Sequence, residues 1–153
     1  MPSKKVLIAA DHAGVALKAA LQKLLPEWTW IDLGPKDTGR VDYPDFAEAL
    51  SRKIVAGEAP QGILICGSGI GMSISANKIP GIRAAVVENP IGASLSKQHN
   101  DANVLCLGAR FLAAEYASEI AQAFLSTPFS GDERHKNRVQ KITALENSAE
   151  KVD

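Results

Sequence analysis

Net charge, disulfide-forming cysteine and long apolar runs are all scarce in this sequence. Its 17 basic and 17 acidic residues cancel, so no global field draws nucleic acid or an anionic membrane surface. Any phosphate site must then be local, built from a few well-placed donors. Only two cysteines occur, Cys66 and Cys106. They make no disulfide framework, and neither has a second metal-like ligand at close spacing, so no metal site is expected. Five apolar residues, Val6–Ala10, separate Lys5 from Asp11, too few for a signal-peptide core. No other stretch is long enough to cross a bilayer. The expectation is a cytoplasmic protein without a membrane partner. Internal repeats and low-complexity segments are missing too. With 46% hydrophobic and 22% charged residues, the 153-residue chain reads as one folded domain, 1–153.

What the sequence does contain is a regular alternation. Short unbroken runs, Val6–Ala10, Thr29–Leu33, Gly62–Cys66, Arg83–Val87 and Val104–Leu107, suit strands buried on both faces of a parallel sheet. Helical stripes lie between them. Leu17, Ala20, Leu21, Leu24 and Leu25 fall on one face, as do Phe46, Leu50 and Ile54 behind a first-turn Pro44. Ala113, Ala117, Ile120, Ala121 and Phe124 form another stripe. A terminal helix is expected over about 132–147, followed by a polar tail, 148–153. Alternating strand and helix implies an α/β fold, a parallel sheet with helices joined by right-handed crossovers.

In such a sheet, ligands bind beyond the carboxyl ends of the strands. The residues there are Asp11-His12-Ala13-Gly14, Gly34, Gly67-Ser68-Gly69-Ile70-Gly71, Glu88-Asn89-Pro90 and Gly108-Ala109-Arg110. Cys66 ends the third run, and the glycine loop behind it leads into a helix predicted over Met72–Lys78. Backbone amides of a tight glycine turn at a helix start can point at an anion, and they favour thiolate over thiol at Cys66. A thiolate beside such amides can remove a proton next to a carbonyl while the amides hold the oxygen that becomes negative. Buried cysteine is also common as plain strand filler, and position alone leaves both readings open. The loop is not a dinucleotide fingerprint: its spacing is G-x-G-x-G, and Met72 stands where the last glycine belongs. Nor is it a P-loop, for no Gly-Lys-Ser/Thr follows. Cys106 sits inside its strand and reads as core.

Three further groups carry two readings each. His99, closing a helical segment with Asn100, is either an exposed cation complementing the helix dipole or an acid/base for opening a cyclic sugar. Arg134 and Arg138, four apart, are a solvated basic face or, converging with Arg110, a phosphate clamp. Asp11 and His12 are a polar turn and cap, or contacts to sugar hydroxyls and phosphate.

These stretches, with Ala9-Ala10, Ile65, Asp42-Tyr43-Pro44, Ala76-Asn77-Lys78, Gly81-Ile82-Arg83-Ala84, Ser96–Leu105 and Arg134–Val139, together resemble the type B ribose-5-phosphate isomerases. The resemblance runs in order from residue 9 to 139. It implies a three-layer α/β/α, Rossmann-like fold with a five-stranded parallel sheet in strand order 2-1-3-5-4. It also implies cofactor-free interconversion of ribose 5-phosphate and ribulose 5-phosphate, in the non-oxidative pentose phosphate pathway. A homodimer or dimer of dimers with shared active sites goes with it. One branch of the family uses cysteine as base and another uses glutamate just after the glycine loop. Cys66 and Met72 resemble the cysteine branch. Carried over, Cys66 is the base and Gly67, Ser68, Gly69, Ile70 and Gly71 bind the enediolate. His99 opens the ring, with His135 a second candidate, and Asn100 holds substrate. Asp11 and His12 contact the sugar, and Arg110, Arg134 and Arg138 the phosphate. Isomerases of galactose or allose 6-phosphate share this fold. A catalytically silent phosphosugar- or dinucleotide-binding module is the other reading, and it has no use for Cys66 or His99.

Overall fold

The computed structural model describes residues 3–148. Strand β1 (Lys5–Ala10) runs through a single 3-10 turn, His12–Gly14, into α1 (Val15–Leu24). Then follow β2 (Thr29–Asp32), α2 (Tyr43–Val55), β3 (Gln61–Cys66), α3 (Ile70–Ala76) and β4 (Ala84–Val86). The chain closes with α4 (Pro90–Asn100), β5 (Val104–Gly108), α5 (Ala114–Ser126) and α6 (Glu133–Ser148). All strand pairs are parallel, in the order β2-β1-β3-β5-β4. The residues expected at 149–153 of the polar tail lie outside the described residues.

The unbroken apolar runs are needed because both sheet faces are covered. Val6, Ile8, Ile63, Ile65, Leu105 and Leu107 point to one side, where Leu17, Leu21, Ala117, Ile120 and Phe124 of α1 and α5 seal them. Leu7, Ala9, Leu64, Cys66, Val104 and Cys106 point to the other, against Ala47, Leu50 and Ile54 of α2 and Met72 and Ala76 of α3. Among the described residues, no helix is long and apolar enough to cross a membrane.

The observed elements differ from the expected ones mainly at helix starts. α3 begins at Ile70 rather than Met72, because Gly69 takes a left-handed φ of 78° and turns the chain straight into the helix. Gly71, a poor helix former, then sits in its first turn. A Cβ there would lie 2.6 Å from Cζ of Tyr43, so the glycine is what lets the tyrosine ring lie on the helix. α4 begins at Pro90, four residues before the helical segment read from the sequence at Ser94–Asp101, and is capped by the Asn89 side chain accepting from the Gly92 N–H at 2.7 Å.

Register fixes two rims. At the upper rim Ala10 pairs with Ile65 and Cys66 pairs with Gly108, so β1, β3 and β5 end together. At the lower rim Gly62 pairs with Val104, and the Gly62 N–H donates to the Asn103 carbonyl at 3.0 Å.

Candidate active site

The upper rim gathers Asp11, His12, Cys66, the glycine loop and Arg110. Asp11 is almost fully buried; its N–H donates to the Ile65 carbonyl at 3.0 Å, and its carboxylate accepts from the Ala13 N–H at 2.9 Å. The turn it caps is seated directly on β3, since a Cβ on Gly14 would lie 2.7 Å from the Ile65 side chain. Below it, Lys18 and Gln22 of α1 and the Gly34 N–H hold Asp32 at the end of β2. Burial pushes the Asp32 carboxyl up, but those hydrogen bonds outweigh it and keep the group below its ordinary value. The Val41 N–H donates to Nδ1 of His12 at 3.3 Å, so the neutral ring carries its proton on Nε2.

Cys66 is 4% exposed, and its Sγ accepts the Gly69 N–H at 3.1 Å. The glycine loop thus aims a backbone amide at the sulfur. β5 runs close by: a Cβ on Gly108 would sit 2.6 Å from the Ser68 carbonyl oxygen. The Arg110 N–H donates to the Gly67 carbonyl at 3.0 Å, and its Nε lies 3.2 Å from where a Gly67 Cβ would stand. Arg110 thus lies across the glycine loop. Met72, where the glutamate branch carries its base, is fully buried in the core.

His99, Asn100, Arg134 and Arg138 are elsewhere. α4 starts at the upper rim and its 11 residues, rising about 1.5 Å each, carry His99 and Asn100 down to the lower one. The five residues of β5, at about 3.3 Å each, give the same separation of roughly 16 Å between the two rims. α6 packs across this lower end. Its imidazole His135 is buried with its ring centroid 4.4 Å from that of His99, and Ser130 Oγ meets His135 Nδ1 at 2.7 Å. Burial, and then the positive fields of His99 and Arg134, push His135 below its ordinary value; Asp132 pulls the other way, and Arg138 adds the smallest push down. Arg134 and Arg138 are exposed on the same helix, and Glu146 near its end accepts the Gly81 N–H at 2.8 Å.

The expected convergence of Arg110 with Arg134 and Arg138 therefore does not occur within one chain. A helix that follows a strand returns to the strand's starting side, so residues ending α4 cannot share a rim with residues ending β3. The remaining predicted residues fall into two half-sites, one per rim. Sequence reasoning assigned no role to Tyr43, Arg83 or Ser130; Tyr43 and Arg83 touch the half-sites through residues far along the chain, and Ser130 through His135, five residues on.

A sequence model of the Ribose/Galactose Isomerase family matches residues 6–142. The chain belongs to that family. Among its relatives, ribose-5-phosphate isomerase B of Escherichia coli is 44% identical over 145 residues, covering 94% of this chain and 97% of that one. The structure of the Trypanosoma brucei type B ribose 5-phosphate isomerase superposes with a TM-score of 0.91 at 46% identity, covering 95% and 99% of the two chains. A Mycoplasma genitalium ribose-5-phosphate isomerase B, solved with bound ribulose-5-phosphate, gives a TM-score of 0.87 at 38% identity over 94% and 96%. The α/β fold and five-stranded parallel sheet expected from the sequence are those of the ribose/galactose isomerase family, in the expected order.

Proposed function

We propose that this ribose/galactose isomerase interconverts ribose 5-phosphate and ribulose 5-phosphate by proton transfer through an enediolate, in the non-oxidative pentose phosphate pathway. The observation that carries the reading is the Cys66 sulfur, held at a strand end under the Gly69 amide, with Arg110 lying across the glycine loop that follows it. As thiolate, Cys66 takes the proton from C2 of the open-chain aldose and returns it to C1, while the O2 hydroxyl proton passes to O1 of the enediolate. The amides of Gly67 to Gly71, with the Ser68 hydroxyl, stabilise the enediolate oxygens as charge develops on them. Asp11 and His12 hold the sugar hydroxyls from the β1 side. The relatives' ribose-5-phosphate activity supports a five-carbon substrate. Ribulose formation from ribose 5-phosphate after exhaustive chelator treatment, run beside galactose and allose 6-phosphates, tests it. Turnover of a six-carbon sugar alone moves the assignment to the other substrate class, and turnover of none leaves a silent binder.

The two half-sites support a site completed by a second copy of the chain. The sheet's β4 edge is flanked by exposed apolar side chains: Ile70 and Ile74 on α3, Val86 on β4, and Ile91 and Leu95 on α4. Each helical pair is four residues apart, hence on one face. A two-fold axis perpendicular to the strands at this edge reverses strand direction between copies. It therefore sets the lower rim of one copy against the upper rim of the other, twice. The homodimer so formed brings a second subunit's His99 and Asn100 to the sugar and its Arg134 and Arg138, with Arg110, to the phosphate.

Ring opening then falls to His99, with buried His135 behind it as support. Furanose ribose 5-phosphate must open before its α-proton becomes acidic, whereas ribulose 5-phosphate cannot close through its phosphorylated 5-oxygen. His99→Asn is expected to slow isomerisation from ribose 5-phosphate by ~10²–10⁴-fold, the usual contribution of a positioned acid/base. Exchange of the ribulose 5-phosphate α-proton with deuterated solvent, followed by NMR, loses far less. Equal losses in the two measurements take His99 out of this role and leave His135 and His12 to be tested.

A further inference from the structure

The turn that presents His99 and Asn100 is an unusual piece of backbone. Asp101, immediately after them, is the one non-glycine residue with positive φ among the described residues, at 47°. Left-handed backbone at a side-chain-bearing residue costs energy and persists only where its surroundings impose it. Two sets of contacts hold it here: the helix's own closing bonds, from the Asp101 N–H to the Lys97 carbonyl at 3.2 Å and from the Ala102 N–H to the Ser96 carbonyl at 3.0 Å, and one guanidinium on the sheet side. Nε of Arg83, from the residue before β4, donates to the Asn100 carbonyl at 3.0 Å and to the Asp101 carbonyl at 2.9 Å. Its Nη2 faces the Asp101 carboxylate at 3.4 Å. The Arg83 backbone is itself locked to the far side of the same turn. Its N–H donates to Asn103 Oδ1 at 2.8 Å, and its carbonyl accepts the Asn103 N–H at 3.0 Å. Asn103 Nδ2 then reaches the Gly81 carbonyl at 2.9 Å.

We propose that Arg83 is a positioning residue for ring opening, the clamp that fixes the His99–Asn100 turn in the geometry a second subunit's sugar requires. The inference rests on the ring-opening reading of His99 above. The last carbonyls of a helix have no intrahelical partner and otherwise turn to water or a cap. Here the helix's own bonds take the Ser96 and Lys97 carbonyls, while one guanidinium, reaching in from the start of β4, shares its Nε–H between the Asn100 and Asp101 carbonyls and turns Nη2 to the Asp101 carboxylate. His99 is exposed, and among the described residues its ring is supported by the His135 ring. The imidazole is therefore placed from two sides, by the His135 ring against it and by the turn behind it that Arg83 holds. Lysine cannot reproduce the clamp, because an ammonium is a point charge on a flexible stem while the guanidinium fork is planar and preorganised. A cap serving stability alone predicts something different: loss of Arg83 lowers melting temperature and scales every activity down together.

The test uses full-length protein and two readouts, isomerisation from ribose 5-phosphate and α-proton exchange of ribulose 5-phosphate in deuterated solvent. Arg83→Lys keeps a cation at the helix end and gives up the fork. It is expected to lower kcat from ribose 5-phosphate by ~10- to 100-fold, the scale of an ångström's misplacement of a reacting group, with a smaller rise in KM because Asn100 shares the turn. Proton exchange and melting temperature stay close to those of the unmodified protein. Arg83→Ala repeats the selective loss with a lower melting temperature. If Arg83→Lys loses both readouts equally, or loses neither, the positioning role is wrong. His99→Asn run alongside separates the two failures. When it is selective and Arg83→Lys is not, only the clamp falls; when His99→Asn is unselective too, the ring-opening reading falls and takes the clamp with it.

Discussion

Cys66→Ala is expected to lose essentially all isomerase activity while keeping the sheet. Removing a sole proton-transfer group typically costs ~10²–10⁴-fold or more, and nothing nearby is built to take over. Met72 cannot carry a proton, and it faces the core. Cys106 is the remaining thiol, but it lies opposite Leu64 inside β5, fully buried. Burial, reinforced by the charge of Cys66 when ionised, pushes the Cys106 thiol far up, so it stays protonated and inert. The structural cost of the substitution is small. Trading a sulfur for hydrogen leaves at most a methyl-sized void, of order ~1 kcal/mol, and frees one Gly69 N–H toward the open loop. Circular dichroism and melting temperature are therefore expected to change little, while ribulose formation drops to background. Iodoacetamide is expected to modify one thiol in the native protein, at a rate slowed by substrate. Near-native activity in the alanine variant, or labelling of Cys106 with Cys66 untouched, would overturn the assignment of the base.

Much of this was legible in the sequence because a parallel sheet covered on both faces demands runs such as Ile63-Leu64-Ile65 and places the residue after each run on a common rim. Asp11, Cys66 and Arg110 were found that way, and the register confirms their common rim. Helix starts were less legible. α3 opens through Gly69 and Gly71, whose value lies in positive φ and in close approach to Tyr43, and neither shows in helix propensity. Tyr43 and Gly71 are 28 positions apart, and the 83–100 contact spans 17; no local pattern encodes such pairs. The split into two half-sites is different, for its signal was present. His99 ends a helix and Val104 opens the next parallel strand, so His99 had to lie at the rim where strands begin, opposite Cys66.

That split leads to the second large effect, an activity that two damaged proteins regain together. Arg138→Ala alone is expected to raise KM by roughly ten- to a hundred-fold, since a charge-assisted hydrogen bond is worth ~1.5–3 kcal/mol. Cys66→Ala alone is silent. If each site takes Cys66 from one chain and Arg138 from the other, a heterodimer of these two variants places both lesions in one site and leaves the other site intact. Such a heterodimer, purified by differential tags and verified by mass, is expected to approach half the unmodified dimer's activity with an unmodified KM. The KM is the sharper reading, because residual Arg138→Ala homodimer contributes turnover only at high substrate. If instead each site were built from a single chain, the heterodimer would hold one site without its base and one with a weakened phosphate grip. Its KM would then match the Arg138→Ala parent, and its turnover would not exceed that parent's. A verified heterodimer behaving so would end the division of the site between subunits. It would leave the two rims, roughly 16 Å apart along the strands, to be bridged by another arrangement.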